Sequence, residues 1–292
     1  QIEFADTVEQ RLTLLALATD TLENSLSDAK RAFEYASRSL REASSTESTA
    51  TWYARVRSLT DKTGDLASEY RVIVSAVETV NDQSLELAMT LRIADLAKND
   101  LKDLANAETH YRRVLDLKSD EPRALDALRA IYTEKNDGVQ LLEILKLQTA
   151  VADPTSQKAL LERQAEVAEQ QLDDKSLAIA AYEEILETAF DEKSGAALER
   201  LYSATERWGD LIALFERELG MDSTAPSRRA QIHHALGKLH EEKLGEIERA
   251  FDEYHAALKQ DLQYAPTVTA LEELLRAKVQ PARAAEMLEK VY

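Results

Sequence analysis

Apolar residues recur every three or four positions along this chain, almost without interruption. In Ala178-Ile179-Ala180-Ala181-Tyr182-Glu183-Glu184-Ile185-Leu186 the residues Ala178, Tyr182 and Leu186 step by four, which places them on one stripe of a helix. Val and Ile occur singly, never in the alternating β-branched runs bounded by turn residues that a sheet requires. The pattern predicts sixteen helices, over about 3–24, 28–43, 48–61, 64–80, 83–98, 101–117, 122–134, 138–151, 155–171, 175–188, 192–205, 208–219, 226–243, 246–259, 265–277 and 281–291. Asp153-Pro154, Asp120-Glu121-Pro122 and Thr224-Ala225-Pro226 each set a capping residue and a proline near a helix start, and Ser27, Asp100, Asp174 and Asp191 are expected to cap others.

The pattern also repeats over a longer distance. Ala107, Tyr111 and Leu115 match Ala178, Tyr182 and Leu186, then Ala250, Tyr254 and Leu258, with 71 and 72 positions between the tyrosines. Ala32, Ala36 and Leu40 form a weaker copy with Ala in place of Tyr. Ahead of each clear match lie small residues in register, Ala94 and Ala97, then Ala165 and Ala168, then Gly237. Each unit is therefore four helices, or two hairpins of about 35 residues. A hairpin this short cannot bury both of its apolar faces alone, so neighbouring hairpins must stack into one continuous core.

The clearest hairpin, Ala235-Leu236-Gly237-Lys238-Leu239-His240 followed by Ala250, Tyr254, Ala257 and Leu258, resembles the tetratricopeptide repeat (TPR), whose period of about 34 residues is half of the spacing found here. The resemblance weakens through Ala94, Ala97, Ala107 and Tyr111 and through Ala165, Ala168, Ala178 and Tyr182. The family's first-helix Trp is absent, its Gly survives only at Gly237, and its Pro only as Pro122. A HEAT-like array of helical pairs fits the same periodicity. The implied fold is all-α, a right-handed α-α superhelix of about eight antiparallel hairpins forming a single solenoid over 1–292, degenerate over 1–81 and clearer over 82–153, 154–223 and 224–292.

The resemblance implies binding of a partner protein or peptide in a concave groove lined by the first helix of each hairpin. Carried onto this sequence, the groove positions are Glu162, Glu166, Glu169 and Gln170, then Gln231, His234, Lys238, Glu241 and Glu242. Because these are mostly acidic, a basic or amphipathic segment is the expected partner, attracted by electrostatic steering more than by raw affinity. The expectation is a non-catalytic scaffold or adaptor. The competing reading is a regulatory or spacer domain of a larger enzyme or cell-envelope assembly.

Composition agrees with helices and narrows the chemistry. With 7 Gly and 5 Pro in 292 residues, Ala, Leu, Glu, Lys, Arg and Gln fill most positions. The formal charge of −18 repels nucleic-acid backbones and anionic lipid heads, so neither is an expected partner. No run approaches the length of a membrane span, and the absence of Cys leaves the compartment open. The chain starts at Gln1 without a basic or apolar leader pattern and stops inside an apparent helix, as a piece of something longer or a processed product would. There Met287, Leu288, Val291 and Tyr292 are expected to form an unsealed apolar face suited to self-association.

No motif for catalysis or a cofactor is found. Glycine-rich phosphate loops, nucleophile elbows and dinucleotide fingerprints are missing, and pairs such as Glu183-Glu184 follow from composition. His233, His240 and His255 could be drawn together, but the seven-residue step is not that of a helical zinc motif. His240 is expected to fill the hairpin's aromatic slot and the other histidines to lie on the surface. Trp52, Tyr53, Trp208 and Phe215 are expected to pack between hairpins. No metal, cofactor or catalytic residue is therefore expected.

Overall fold

The computed structural model describes residues 7–43 and 46–292, and every described element is helical. The sixteen helices are α1 (Val8–Asp20), α2 (Ala29–Ala43), α3 (Thr49–Thr63), α4 (Leu66–Val77), α5 (Gln83–Asp95), α6 (Leu104–Leu117), α7 (Pro122–Lys135), α8 (Gly138–Val151), α9 (Pro154–Gln170), α10 (Lys175–Thr188), α11 (Glu192–Ala204), α12 (Trp208–Leu219), α13 (Pro226–Leu239), α14 (Ile247–Gln260), α15 (Ala265–Arg276) and α16 (Pro281–Glu289). They coincide with the expected series to within a few residues, except that the start of the first expected helix, 3–6, lies outside the described residues. The fold is an all-α repeat array of helical hairpins. The chain forms two compact units divided after Leu172, the first holding α1–α9 and the second α10–α16.

Each helix buries one stripe. On α2 the buried positions Ala32, Phe33, Ala36, Leu40 and Ala43 recur at steps of three and four, and α2 lies against α1, α3 and α4. The core continues through Tyr53, Val56 and Leu59 of α3, Val72 and Ile73 of α4 and Met89 and Ile93 of α5. One charge is embedded in this region. Glu69 of α4 is fully buried and receives both Nε and Nη2 of Arg92 on α5 at 2.8 Å, so the pair ties consecutive hairpins while leaving no carboxylate oxygen unpaired. In the second unit Phe251, Tyr254 and Leu258 of α14 pack with Leu271 and Leu274 of α15 and Met287 and Leu288 of α16. Met287 and Leu288 are thus buried, contrary to the expected unsealed face. They share a stripe with Ala284 and turn toward α15, leaving Tyr292 as the exposed aromatic residue there.

The repeat is written most regularly in the turns. Ser27, Gly64, Lys102, Asn136, Asp173, Glu206, Gly245 and Lys278 all have left-handed φ between 51° and 72°, and each follows an odd-numbered helix. Only two of these eight are glycine. The first helices of three hairpins also end in a π-helical turn, at Thr21–Ser25, Leu96–Asp100 and His240–Leu244. Beyond each, a backbone N–H reaches six residues back, as Asp28 to Leu22, Asp103 to Ala97 and Glu246 to His240, all at 2.8 Å, and these bonds satisfy carbonyls that the helix end would orphan. Ser27 and Asp100 consequently do not cap the next helices. The left-handed residues Ser27 and Lys102 displace the start, and Asp28 and Asp103 accept the capping N–H bonds of Arg31 and Asn106 instead.

A side chain in the left-handed region costs about 1 kcal/mol that glycine avoids. Lys278→Gly and Glu206→Gly, both at exposed sites, should therefore raise stability by about 0.5–1 kcal/mol, Asn136→Gly by less, and Gly64→Ala should lower it by about 1 kcal/mol. Urea unfolding midpoints measure all four.

Candidate functional site

The residues singled out by the resemblance fall into two groups, one in each unit. In the second unit α13 and α15 bring together His234, Lys238, Tyr264, Thr267 and Glu273, with Tyr254 of α14 beneath. The geometry starts at Gly237. A Cβ there would stand 2.6 Å from Tyr254 Cδ1 and closer still to Cε1, so only glycine lets the ring cross this near the α13 backbone. Tyr254 is fully buried, and its hydroxyl donates to Glu241 Oε2 at 2.5 Å. Burial, reinforced by that carboxylate, raises the phenol far above its ordinary range. His234 packs its ring 5.8 Å from Tyr254 and 5.7 Å from Tyr264, and its Nδ1 lies 3.2 Å from the hydroxyl of buried Thr267.

Over this aromatic floor Lys238 Nζ reaches Glu242 at 3.0 Å and Glu273 at 4.0 Å. Glu242 and Glu273 therefore share one ammonium on this face, and Glu241, held by the Tyr254 hydroxyl, stands nearby. Gln231 is exposed near the middle of α13.

The other four expected positions lie on α9 in the first unit. Glu166 is paired with Arg163 at 3.0 Å, Glu162 and Glu169 are half-buried and already engaged, and Gln170 is exposed. What the sequence pattern did not single out is the open groove of about 660 Å³ between α7 and α9, over Leu141 and Leu145 of α8. It exists because Ala130 and Ala159 are too small to close the gap between two first helices. A smaller hollow, about 420 Å³, lies between α1 and α3, with half-buried Trp52 and Arg55 in its wall. Small residues on the outer side of consecutive first helices are the sequence signal for both, and the search for apolar stripes passes over them.

The remaining candidate chemistry is structural. His240 is buried with Nδ1 2.9 Å from Glu246, and His233 Nδ1 lies 2.8 Å from Glu253. Only His255 is fully on the surface. His110, His233 and His234 are half-buried, contrary to expectation: His110, with Nε2 3.2 Å from the Tyr70 hydroxyl, and His234 sit where hairpins meet, and His233 lies against α14 of its own hairpin. Among the described residues no three His, Asp or Glu side chains converge as a metal would require. Tyr53 and Phe215 are core residues, while Trp208, at the start of α12, lies under Lys243 with Nζ 5.7 Å from its ring. No described helix is long and apolar enough to cross a membrane.

No protein-family model matches the sequence, and no curated protein matches it. In structure the chain is similar to a tetratricopeptide repeat protein from Parabacteroides merdae, at 14% identity over 91% of this chain and 98% of that one, with a TM-score of 0.38. It is similar to human IFIT1, solved as a dimer with PPP-AAAA, at 17% identity over 91% and 64% of the two chains and a TM-score of 0.38. The P58(IPK) TPR domain aligns over 98% and 97%, at 15% identity and a TM-score of 0.29. Similarity this distant carries no ligand or activity across.

Burial, and next the charge of Lys238, hold His234 below its ordinary value of 6.5, and burial does the same for His110. For a base depressed on folding, the stabilising contribution is complete above the unfolded value and is lost as pH falls through the folded one. The melting temperature should therefore drop as pH falls below about 6.5, before the carboxylates titrate. His234→Gln should flatten that slope in thermal scans by circular dichroism, and an unchanged slope would show that His234 contributes nothing to it.

Proposed function

We propose that this chain is a non-catalytic scaffold for protein–protein interaction, taking segments of a partner protein against the outer faces of its first helices. The observation that carries the reading is the face between α13 and α15, where Glu241, Glu242 and Glu273 outnumber Lys238 above a floor of His234 and Tyr264. Aromatic surface beside uncompensated carboxylate suits a basic or amphipathic segment, through apolar contact, cation–π attraction and charge pairing. The net charge of −18 favours the same partner class and disfavours nucleic acid. On this reading Gln231, His234, Lys238, Glu241 and Glu242 belong to the binding face of the second unit, and Glu162, Glu166, Glu169 and Gln170 to that of the first.

The test is crosslinking with a photoreactive amino acid placed at Gln231 or Glu242, against a control at Asp252 on α14. A partner protein should crosslink from the first two positions only, and Glu242→Lys with Glu273→Lys should lower its yield about tenfold. Equal yields from Asp252, or a partner indifferent to both reversals, would refute the assignment of this face.

A further inference from the structure

The groove between α7 and α9 differs in character from the α13–α15 face. It runs on toward the start of both helices as a second hollow of about 360 Å³, and the two share Asp126, Arg129, Ala159 and Leu160. Its floor is apolar, with buried Leu125, Leu141 and Leu145 beneath half-buried Leu160, its walls carry Arg129, Thr133 and Arg163, and Val151, 58% exposed, stands at its edge. Most of the charges around it neutralise one another. Asp126 accepts from Arg129 at 3.2 Å and from Gln148 Nε2 at 2.9 Å, and Arg163 pairs with Glu166 at 3.0 Å.

Two carboxylates in the lining stand outside these pairs. Asp120 lies just ahead of α7 at one end of the groove, near a Lys118 ammonium that Glu121 already holds at 2.9 Å, and Glu134 near the end of α7 at the other, both exposed. Fourteen positions separate them, about 20 Å at 1.5 Å per residue. The uncompensated charge of the groove is thus concentrated at its two ends, with apolar surface between.

We propose that the α7–α9 groove binds an amphipathic helix of a partner protein, whose apolar stripe lies over Leu125 and Leu160 and whose two flanking cations, about 20 Å apart, meet Asp120 and Glu134. This rests on the scaffold reading and specifies one groove and one pattern within it. Apolar residues at one-turn steps fill a trough between two helices in the way helix-in-groove recognition requires. Terminal cations fix the register, because a helix displaced by two turns leaves one of the two carboxylates without a partner.

The probe is a fluorescein-labelled synthetic helix of about 16 residues, with leucines at one-turn steps and a lysine at either end about 14 positions apart. Its anisotropy is measured with the full chain, alongside a peptide of identical composition with the leucines scrambled and another with the lysines seven positions apart. The striped, widely spaced peptide should bind at least tenfold more tightly than either. Asp120→Lys and Glu134→Lys should each weaken it about fivefold, as expected for one exposed charge pair, while Glu192→Lys, remote in sequence and exposed, should not. Ala159→Trp, which fills the groove from an exposed position, should abolish binding, with thermal melts confirming that each variant is folded.

Equal affinity for the scrambled peptide, indifference to Asp120→Lys and Glu134→Lys, or no binding of the striped helix would overturn the proposal. If the peptide is instead released by Glu242→Lys and Glu273→Lys, the scaffold reading survives and the assignment to the α7–α9 groove falls.

Discussion

The structure depends on how closely the two helices of a hairpin can cross. At Gly237 the ring of Tyr254 occupies the space a Cβ would take, and in the first unit fully buried Ala94 stands 17 residues ahead of Tyr111 in the same register. A small residue admits the aromatic ring, and the ring then carries a hydroxyl into a nearly dry crossing where it must find an acceptor. Both tyrosines find a carboxylate on the first helix of their own hairpin, Tyr111 at Asp95 and Tyr254 at Glu241. Each crossing is therefore held by apolar burial and pinned by one charge-assisted hydrogen bond.

The same arrangement supplies the surfaces. Once the crossings consume the apolar stripes, the outer faces of the first helices are left to side chains that pair locally, as Arg163 does with Glu166 and Lys238 with Glu242. In the second hairpins, tyrosines also bridge helices: Tyr132 donates to Glu108 and accepts from Arg112, while Tyr202 donates to Glu183. Arg112 and Glu183 occupy equivalent repeat positions, so opposite charges serve the same contact. Many carboxylates remain outside such pairs, as the acidic composition requires, and Asp120 and Glu134 are distinguished from the rest by lining the α7–α9 groove.

Helix number, order and approximate ends were legible because a 3.6-residue period survives even where motif residues have drifted. Gly237 was legible as a small residue in register with Ala94, although not the ring lying against it. The turns were not. Left-handed backbone at Ser27, Lys102, Asp173, Glu206 and Lys278 has no compositional mark, since glycine fills only two of the eight positions. π-helical ends were hidden for the same reason. Of the expected binding positions, Glu162 and Glu166 lie on α9 in the first compact unit, and Lys238 on α13 and Glu242 in the π-helical turn after it lie in the second. Which glutamate is paired depends on partners distant in sequence, as with Glu69 and Arg92, and no local pattern encodes that.

If stability resides in crossings shared between neighbouring hairpins, a defect at one crossing should remain local. The direct measurement is hydrogen–deuterium exchange, read by mass spectrometry along the whole chain, for Gly237→Ala against the native sequence under native conditions. Exchange should accelerate in α13–α16 and stay unchanged in α1–α8. Uniform acceleration over all sixteen helices would contradict a structure built from locally held crossings.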